Sequence, residues 1–479
     1  MSYYYPQAAL SLRVLWENPD DKDPQLARPY NLHTLCKNVT VTINDYRQAD
    51  TFRAELDYKC FPFDPRLIKG VSVSVHIEDM RGLYDEAGNE KRLEPSPSNI
   101  IFQGYADEES INLDESSRTV SFEGRDYTAL LVDRPFPHGT IDINQDIGTI
   151  IQSLLSGSEV TEAIQVVNRT GGALPVLGKF YPERAGGKLT GKKNVKRGET
   201  YWDVIVDMAN RAALIAYIEL DKLVLAKPRN LYAGAKPYQF IYGKNINKLR
   251  FERKLSKQKG FNVLVRSLAT EVARSDEPVI EAKIPEEATA EWAEAIGIPL
   301  KRATIKQPVA AGTGKDGGNF EEKEAPFMSF NIPNVRDKAQ LIEIGQGIYE
   351  ELSRQQIEGE LETKEMCILQ RDTPTSPEPV TFDIRKIRNA TPIKITLAED
   401  DMEQVKSISG DTPNAVGVRE DYLIARGYPR QFAHALAVSL GRYPTTFYTK
   451  SVQFNLDQTN GFSMSLQFIN FIDLKEYGR

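Results

Sequence analysis

Cysteine and histidine are scarce in this sequence. The 479 residues contain 3 cysteines and 4 histidines. The cysteines (Cys36, Cys60 and Cys367) are far apart and odd in number, so a disulfide framework is not expected and folding in a reducing cytoplasm is predicted. The histidines include no pair at i and i+3 or i+4. Neither a zinc site nor a metalloprotease helix is therefore predicted.

Long apolar runs and an excess of positive charge are also missing. No stretch approaches the ~18 to 20 apolar residues of a membrane helix. The opening residues, MSYYYPQAALSLRVLWENPDD, have no basic start, so neither membrane association nor a secretory signal is expected. The net charge of −7 argues against stable binding of nucleic acid, which requires a basic surface.

Patterns that would indicate catalysis or a cofactor are incomplete. The run Gly312-Thr313-Gly314-Lys315-Asp316 lacks the spacing of a phosphate-binding loop and is better explained as a flexible linker. The run Asp142–Asp146 resembles the start of a calcium loop, but Gly148 comes one place late, and Asp146 is better explained as a helix cap. We therefore predict no enzymatic activity, no cofactor and no metal, although 67 acidic residues leave a glycosidase carboxylate pair open.

What the sequence does contain is a series of strand patterns. Apolar and polar residues alternate over 39–44, 51–57 and 71–78, which predicts antiparallel strands with one buried face. The stretch 100–133 predicts a further strand, a polar-turn hairpin, a Gly124-Arg125-Asp126 turn and a short helix capped by Asp126. Together these strands suffice for a small barrel or sandwich.

The order of the patterns predicts an α+β, mainly β, chain with several units. Residues 1–36 are interpreted as an irregular lead-in, 37–135 as the first strand-rich block, and 136–245 as an α+β module. In that module Thr200 and Asp203 form a capping box. Residues 246–268 and 357–479 form the second strand-rich block, with short helices at 418–441. Residues 269–356 are an insertion plus a long helix that Asn334 caps.

Two clusters of positive charge are candidates for contact with a partner. The first is the stretch 184–197, RAGGKLTGKKNVKR, which has six positive charges and no acid. A solvated loop is the simpler interpretation, and a contact arm for an acidic partner is the alternative. The second lies on one face of the strand 246–255, which carries Glu252 as well as Lys248, Arg250 and Lys254; an exposed sheet face and a charged subunit interface are both open. The candidate interface residues are Lys192, Lys193, Lys196, Arg197, Lys248, Arg250 and Lys254.

Four stretches resemble one known family. They are SFEGRDYTALLVD (121–133), the helix and hairpin ETYWDVIVDMANRAALIAYIELDKLVLAKP (199–228), the helix DKAQLIEIGQGIYEELSRQ (337–355), and the ending YTKSVQFNLDQTNGFSMSLQFINFIDL (448–474). In order and spacing the chain resembles the baseplate hub proteins of contractile phage tails, of the late control protein D type. These are similar to the hub half of type VI secretion spike proteins.

The resemblance implies two tail-tube-like antiparallel β-barrels, with the α+β module between them and a helical insertion. It also implies a homotrimer, in which six such barrels form a pseudo-sixfold ring in the virion baseplate, assembled in the host cytoplasm. The implied partners are tail tube or tube-initiator proteins, the central spike and the tape measure protein. DNA would pass through the ring without stable binding.

Three rival functions remain open. A tail-associated peptidoglycan hydrolase would need a catalytic domain, and the roughly 60 unassigned residues at 269–330 are too few for most hydrolase folds. A receptor- or glycan-binding protein at the tail tip would use the same barrels at the periphery of the particle. An injection-system spike would need needle-like repeats, which do not follow the second strand-rich block.

Overall fold

The structure is a computed structural model that describes most of the chain. The described residues are 6–16, 26–31, 36–46, 48–57, 68–79, 100–107, 112–114, 116, 118–137, 139–156, 164–180, 192–195, 197–212, 214–227, 236–241, 245–253, 261–268, 280–296, 300–308, 320–333, 335, 338–353, 357–371, 379–397, 399–408, 412–428, 430, 433, 434, 437, 446–457 and 460–470.

Strands dominate the described residues. They are β1 (Pro6–Trp16), β2 (Leu26–Asn31), β3 (Cys36–Ile43), β4 (Thr51–Asp57), β5 (Ile68–Asp79), β6 (Ile100–Ala106), β7 (Asn112–Asp114), β8 (Thr119–Asp126), β9 (Thr140–Asp142), β10 (Gln165–Arg169), β11 (Lys192–Asn194), β12 (Ile215–Glu219), β13 (Lys222–Ala226), β14 (Tyr238–Ile241), β15 (Lys248–Arg253), β16 (Asn262–Leu268), β17 (Ile280–Ile284), β18 (Thr304–Pro308), β19 (Phe320–Glu324), β20 (Phe327–Pro333), β21 (Ile357–Thr363), β22 (Cys367–Arg371), β23 (Pro379–Asp383), β24 (Pro392–Thr396), β25 (Thr446–Asp457) and β26 (Gly461–Asn470).

The α-helices found in the same residues are fewer and mostly short. They are α1 (Thr128–Val132), α2 (Ile147–Ser156), α3 (Tyr201–Arg211), α4 (Ala290–Ile296), α5 (Lys338–Ser353), α6 (Glu399–Ser407) and α7 (Pro413–Ala425). The α+β, mainly β, class predicted from the sequence is confirmed.

One large sheet joins the two strand-rich blocks. Its hydrogen-bonded order is β15-β21-β26-β25-β3-β4-β8-β6-β5-β1-β2, with β7, β14 and β24 attached at its sides. The two blocks meet where β25 pairs with β3, Val452 opposite Ile43 and Asp457 opposite Asn38. The sheet curls, so β1 comes close to β3, β25 and β26. Among the described strands the order is open at both ends, so two separately closed barrels remain a prediction.

The predicted alternations place their apolar side chains on one face of this sheet. Val39, Val41, Phe52, Leu56 and Val73 are all buried. They share a core with the apolar residues of β25, β26 and β21 from the second block. The two blocks are therefore held together by a common core as well as by backbone hydrogen bonds, and burial of apolar area is its main stabilising contribution.

The prediction that residues 1–36 form an irregular lead-in is wrong for the residues of β1 and β2. β1 and β2 are strands, and β1 pairs with β5 in antiparallel register from Pro6 opposite Asp79 to Trp16 opposite Ile68. A signal was present in the sequence, because Leu10, Leu12 and Val14 alternate with more polar neighbours. The Pro and Asp residues on both sides of β1 favoured the irregular interpretation over this strand signal.

Two glycines allow β6 and β8 to approach closely. A Cβ atom on Gly124 would lie 2.0 Å from the carbonyl oxygen of Tyr105, and one on Gly104 would lie 2.2 Å from that of Arg125. No side chain larger than hydrogen fits at either place without moving backbone. The predicted turn at Gly124-Arg125-Asp126 is therefore wrong: these residues are the paired end of β8, and the chain turns at Tyr127.

The α+β module has its own core. α3 begins with the predicted capping box, in which Thr200 Oγ1 accepts from Asp203 N at 3.1 Å and Asp203 accepts from Thr200 N at 2.9 Å. The predicted cap of α2 is also present, since Asp146 accepts from Thr149 N at 3.0 Å. These helices cover the small sheet β10-β13-β12, whose hairpin β12–β13 follows α3 as predicted.

The insertion forms a third unit around the sheet β17-β16-β20. The prediction assigned 246–268 to the second block, but β16 pairs with β17 and β20 here, and α5 covers the sheet. The alternation in 262–268 predicted a strand correctly and could not identify its neighbours. Within the predicted helix 286–296, the structure has α4 from Ala290. The linker at 310–318 and the cap Asn334 lie outside the described residues.

Near the end of the chain, α7 begins earlier than predicted. It starts at Pro413, where Thr412 Oγ1 accepts from Ala415 N at 3.3 Å, rather than at Val418. The predicted helix 430–441 falls almost entirely outside the described residues. The final hairpin is confirmed, with Val452 opposite Leu466 and Phe454 opposite Met464.

Candidate functional site

The candidate residues Lys248 and Arg250 lie on β15, the strand at one end of the large sheet. β15 pairs with β21, Lys248 opposite Glu362 and Arg250 opposite Glu360, and no second neighbour of β15 is found among the described strands. Both side chains are exposed. Lys248 is 3.5 Å from Glu360, and Arg250 is 2.5 Å from Glu252. Such exposed pairs contribute little to stability. The third residue predicted on this face, Lys254, lies outside the described residues.

Further along the sheet, β8 carries the short strand β7 beside the main path, which continues through β6, β5 and β1 to its other end at β2. This three-residue strand pairs with β8, Asn112 opposite Ser121 and Asp114 opposite Thr119. β6 occupies the other half of the same side of β8, Gly104 opposite Asp126. Asn112 and Asp114 are exposed. The run from β15 to β7 therefore contains eight neighbouring strands, with β15 at an end of the sheet and β7 as a short side strand on β8.

The basic stretch contains one residue that serves the fold. Lys193 in β11 is 7% exposed and forms an ion pair with Asp207 of α3. Arg211 binds the same carboxylate at 3.1 Å. Burial raises the pKa of Asp207, but Arg211 and Lys193 more than offset this, so its pKa lies below the ordinary value.

The other candidates of this stretch have different positions. Lys192 is in β11 opposite Asp142, and Arg197 is exposed in the turn before α3. The side chain of Lys192 and the whole of Lys196 are outside the part of the chain that the structure describes. The stretch is thus divided between a structural lysine and residues whose role as a contact arm remains a prediction.

A polar junction that the sequence did not indicate lies between the first strand-rich block, the α+β module and the loop before β24. It surrounds a cavity of about 30 Å³, enough for one or two waters. Asp50 and Asp126 line it on one side and Tyr217 and Glu219 on another, with Arg388 from the second block.

The two carboxylates of the junction are joined through the backbone. Asp126 accepts from Asp50 N at 3.1 Å and from Thr128 N at 2.9 Å, while Asp50 accepts from Asn44 N at 2.8 Å. Burial raises the pKa of Asp126 to about 6. Burial, and then the nearby charge of Asp126, raise the pKa of Asp50 well above its ordinary value.

The remaining charged groups of the junction link the units. Arg388 donates to the carbonyl oxygens of Arg385, Ile387 and Ile100 at 2.6, 3.0 and 3.2 Å. Burial lowers its pKa, although the charges of Glu219 and Asp50 act in the other direction. These contacts hold β6 of the first block against the loop of the second.

Arg125, near the end of β8, connects the segments on both sides of the turn at Tyr127. Its guanidinium binds Asp107 at 2.7 Å and Asp133 at 2.8 Å, on either side of the turn and of α1. These hydrogen bonds, chiefly the one to Asp107, raise the pKa of Arg125. The predicted cap, Asp126, lies one residue before the N-cap Tyr127, and its carboxylate accepts a hydrogen bond from Thr128 N, the first residue of α1. The turn thus fixes the route from the sheet into the α+β module.

The described residues contain no group of three or more His, Cys, Asp or Glu side chains that could hold a metal ion. At the calcium-like run, Asp142 accepts from Asn144 N at 3.0 Å, and Asp146 caps α2. No helix in the described part of the chain is long and apolar enough to cross a membrane.

No protein-family model matches the chain, and no curated protein matches it either. Among solved structures, a prophage MuSo2 43 kDa tail protein from Shewanella oneidensis is similar with a TM-score of 0.52 and 13% identity, covering 96% of this chain and 98% of that one. A tail protein from Neisseria meningitidis MC58 is similar with a TM-score of 0.50 and 14% identity, covering 97% and 96%.

A more distant similarity is to the E. coli c3393 protein, described as a component of the type VI secretion system. Its TM-score is 0.39 at 7% identity, over 91% of this chain and 73% of that one, which is too low to support an inference. The resemblance predicted from the sequence is confirmed for the fold. Over nearly its whole length, this chain has the fold of phage tail proteins.

Proposed function

We propose that this chain is a structural, non-enzymatic component of a phage tail and forms the axial hub of its baseplate. Three copies close a ring with six barrel-like units. One face of the ring meets the tail tube or its initiator proteins, and the opposite face holds a separate spike protein. The tape measure protein and then DNA pass through the opening.

The fold supports the general part of this proposal. The similarity to two phage tail proteins covers both strand-rich blocks, the α+β module and the insertion, rather than one common domain. The location that follows is the virion tail.

The two sheet edges carry the specific part of the proposal. A strand at the edge of a sheet can pair with a strand of another chain. The edges at β15 and β7 are different surfaces, so contact between them is head-to-tail, and head-to-tail contacts form a ring when the rotation closes. Three copies with two strand-rich blocks each give the six units that match a sixfold tube.

Charge adds a further argument for the β15 edge. Lys248 and Arg250 are exposed there, and Asp114 is exposed on β7. Among its described exposed side chains, β15 has two positive charges against the one negative charge of Glu252, and this net difference from β7 favours one pairing direction over self-pairing of like edges. We therefore infer that Lys248 and Arg250 of one copy approach the β7 end of the next.

The native mass of the purified full-length chain tests the proposal. The expected result is a trimer of about 162 kDa, three times 53.9 kDa, by native mass spectrometry or light scattering. Replacing Lys248 and Arg250 with Glu should shift the trimer towards monomer, while the control Arg266→Glu, an exposed position on β16 in the insertion, should not. A monomer at all concentrations, with and without companion tail proteins, would refute the ring.

A further inference from the structure

The polar junction joins two units that have separate cores. The first strand-rich block supplies Asp50, next to β4, and Asp126, the last residue of β8. The α+β module, whose buried apolar residues form a cluster of their own, supplies Tyr217 and Glu219 of β12. We call the boundary between these two pairs of residues the seam.

At the seam, the chain passes from the block into the module through a single residue. β8 ends at Asp126, Tyr127 follows, and α1 begins at Thr128. α1 already belongs to the module, because Leu131 is buried in the same core as the apolar residues of α2 and α3. Asp126 accepts hydrogen bonds from Asp50 N in the block and from Thr128 N in α1. One carboxyl group therefore ties the two units together where the chain crosses between them.

Carboxyl groups outnumber positive groups around the cavity at the seam. Among the described residues that line it, four carry a carboxyl group and one, Arg388, carries a guanidinium that donates to three backbone carbonyl oxygens. Arg125, the neighbour of Asp126, binds two other carboxylates, and Arg169 binds Glu219 at 2.6 Å. The titratable or charged residues that line the cavity together with the two aspartates of the block are Asp45, Tyr46, Tyr217, Glu219 and Arg388. Ionisation of those two aspartates therefore adds negative charge where carboxyl groups already dominate.

The protonation of Asp50 and Asp126 decides how costly the closed seam is. The cavity of about 30 Å³ holds one or two waters, too few to hydrate two carboxylates. Burial therefore raises the pKa of Asp126 to about 6 and the pKa of Asp50 well above its ordinary value. A protonated carboxyl group still accepts backbone hydrogen bonds through its carbonyl oxygen. The closed seam is thus favoured most below about pH 3.8 and loses this advantage as the pH rises through about 6.

We propose that the seam is a proton-controlled hinge between the first strand-rich block and the α+β module. While Asp50 and Asp126 hold their protons, the seam is closed. When they ionise, water enters the cavity and the module rotates away from the block about Tyr127. The hinge operates within one chain, so it does not require the ring of the proposed function.

Two further contacts are compatible with this motion. Arg388 donates to the carbonyl oxygen of Ile100 in β6, so it stays with the large sheet when the seam opens. The module contacts the insertion at the end of α3, where Gln340 donates to the carbonyl oxygen of Arg211 at 3.0 Å. Trp202, which lines the cavity, is near the start of this helix, about 14 Å away along its axis. The contact with the insertion can therefore serve as a second pivot.

Distances between spin labels in the full-length chain test the hinge. The three native cysteines are replaced with alanine, and labels are attached at Arg53→Cys in β4 and Gln165→Cys in β10, two exposed positions. Labelled chains are diluted with unlabelled ones, so that only distances within one chain are measured. Pulsed electron paramagnetic resonance should give a longer mean distance at pH 8 than at pH 5. The control pair Arg53→Cys and Gln453→Cys, both in the large sheet, should give the same distance at both pH values.

Substitution of the two aspartates shows whether their protons control the distance. The variant Asp50→Asn, Asp126→Asn keeps both side chains uncharged and should show the shorter distance at pH 5 and at pH 8. Asp142→Asn, at an exposed position of β9, is the matched control and should open like the wild type. Equal distances at the two pH values without these substitutions, or an opening of the double variant at pH 8, would overturn the inference.

A second readout uses the unmodified chain, so it decides even where a variant does not fold. Hydroxyl radicals oxidise the side chains of Trp202 and Tyr217, which line the cavity, at a rate that depends on their contact with water. Tyr349, 7% exposed in the core of the insertion, corrects for the radical dose. We expect oxidation of Trp202 and Tyr217 relative to Tyr349 to rise from pH 5 to pH 8. Equal ratios at the two pH values would contradict the entry of water and with it the hinge.

Discussion

The environment of Asp126 leads to the most direct prediction about how stability depends on pH. Its carboxyl is buried where the first block meets the α+β module, and its pKa is about 6 in the folded chain against 3.8 as the ordinary value. The folded state therefore holds this proton more tightly than the unfolded state. The resulting stabilisation is complete below about pH 3.8 and is lost as the pH rises through about 6.

We predict that Asp126→Asn removes this pH dependence. Between about pH 7.5 and pH 5, the free energy of unfolding of the wild type should rise by about 1 kcal/mol relative to that of the variant. The comparison between the two proteins is essential, because Asp50, whose pKa burial also raises, and His76, whose pKa burial lowers to about 4, titrate in both. Urea unfolding at the two pH values measures the difference. An unchanged difference would contradict a neutral carboxyl at this junction.

Lys193 leads to a second prediction at the scale of single residues. Since it pairs with Asp207 inside the α+β module, Lys193→Met should lower the free energy of unfolding by about 1–2 kcal/mol. Arg197→Ala, in the exposed turn of the same stretch, should change it by less than about 0.5 kcal/mol. Thermal unfolding of both variants measures this. Equal effects would show that Lys193 is only a surface residue, and a test of the contact arm should therefore leave Lys193 intact.

At the scale of elements, the contact of β6 with β8 depends on Gly124. Gly124→Ala would place a methyl group against the carbonyl oxygen of Tyr105 and the ring of Phe52. We expect a loss of about 2–4 kcal/mol, because backbone would have to move in both strands. Gly172→Ala is the control, since no heavy atom lies within 4 Å of its added Cβ. Chemical denaturation compares the two, and a mild effect at position 124 would mean that the strands separate easily.

The start of α3 gives a prediction of smaller size. Thr200→Ala removes the acceptor for Asp203 N and should destabilise the chain by about 1 kcal/mol. Thr140→Ala, at an exposed position of β9, should be nearly neutral. The midpoints of urea unfolding at constant slope measure both changes. If the two substitutions had the same effect, the capping box would not contribute to stability.

Local patterns in the sequence predicted local structure well. The capping box at Thr200, the cap at Asp146, the hairpin after α3 and the buried face of β3 all depend on residues within a few positions of each other. Partners distant in the chain were not predictable in the same way. The pairing of β25 with β3 and of β16 with β20, and the junction of Asp126 with Arg388, depend on tertiary packing that no spacing encodes.

For the candidate sites, too, local features were predictable and distant partners were not. Alternation indicated that Lys248 and Arg250 share an exposed face, and the structure exposes both. The same charge run that suggested a contact arm also contains Lys193, whose partner Asp207 is 14 residues away on a helix. The run of positive charges therefore identified a basic segment, but it could not distinguish the buried, structural Lys193 from the exposed residues.

At the scale of the whole molecule, the eight neighbouring strands from β15 to β7 belong to one sheet that spans both strand-rich blocks. The apolar face of this segment is buried in one core shared by both blocks, and the other face is polar and continuous. A monomer gains nothing from two dissimilar strand edges, which carry a risk of aggregation. A closed ring removes the edges at β15 and β7, so the whole-molecule prediction is assembly through them.

The most direct test is an electron-microscopy reconstruction of the purified full-length chain together with its tail partners. We predict a threefold ring on the tail axis, with six barrel-like units per turn and β15 of each copy beside β7 of the next. A reconstruction that places single copies at the periphery of the particle, or that leaves β15 and β7 facing solvent, would contradict the account.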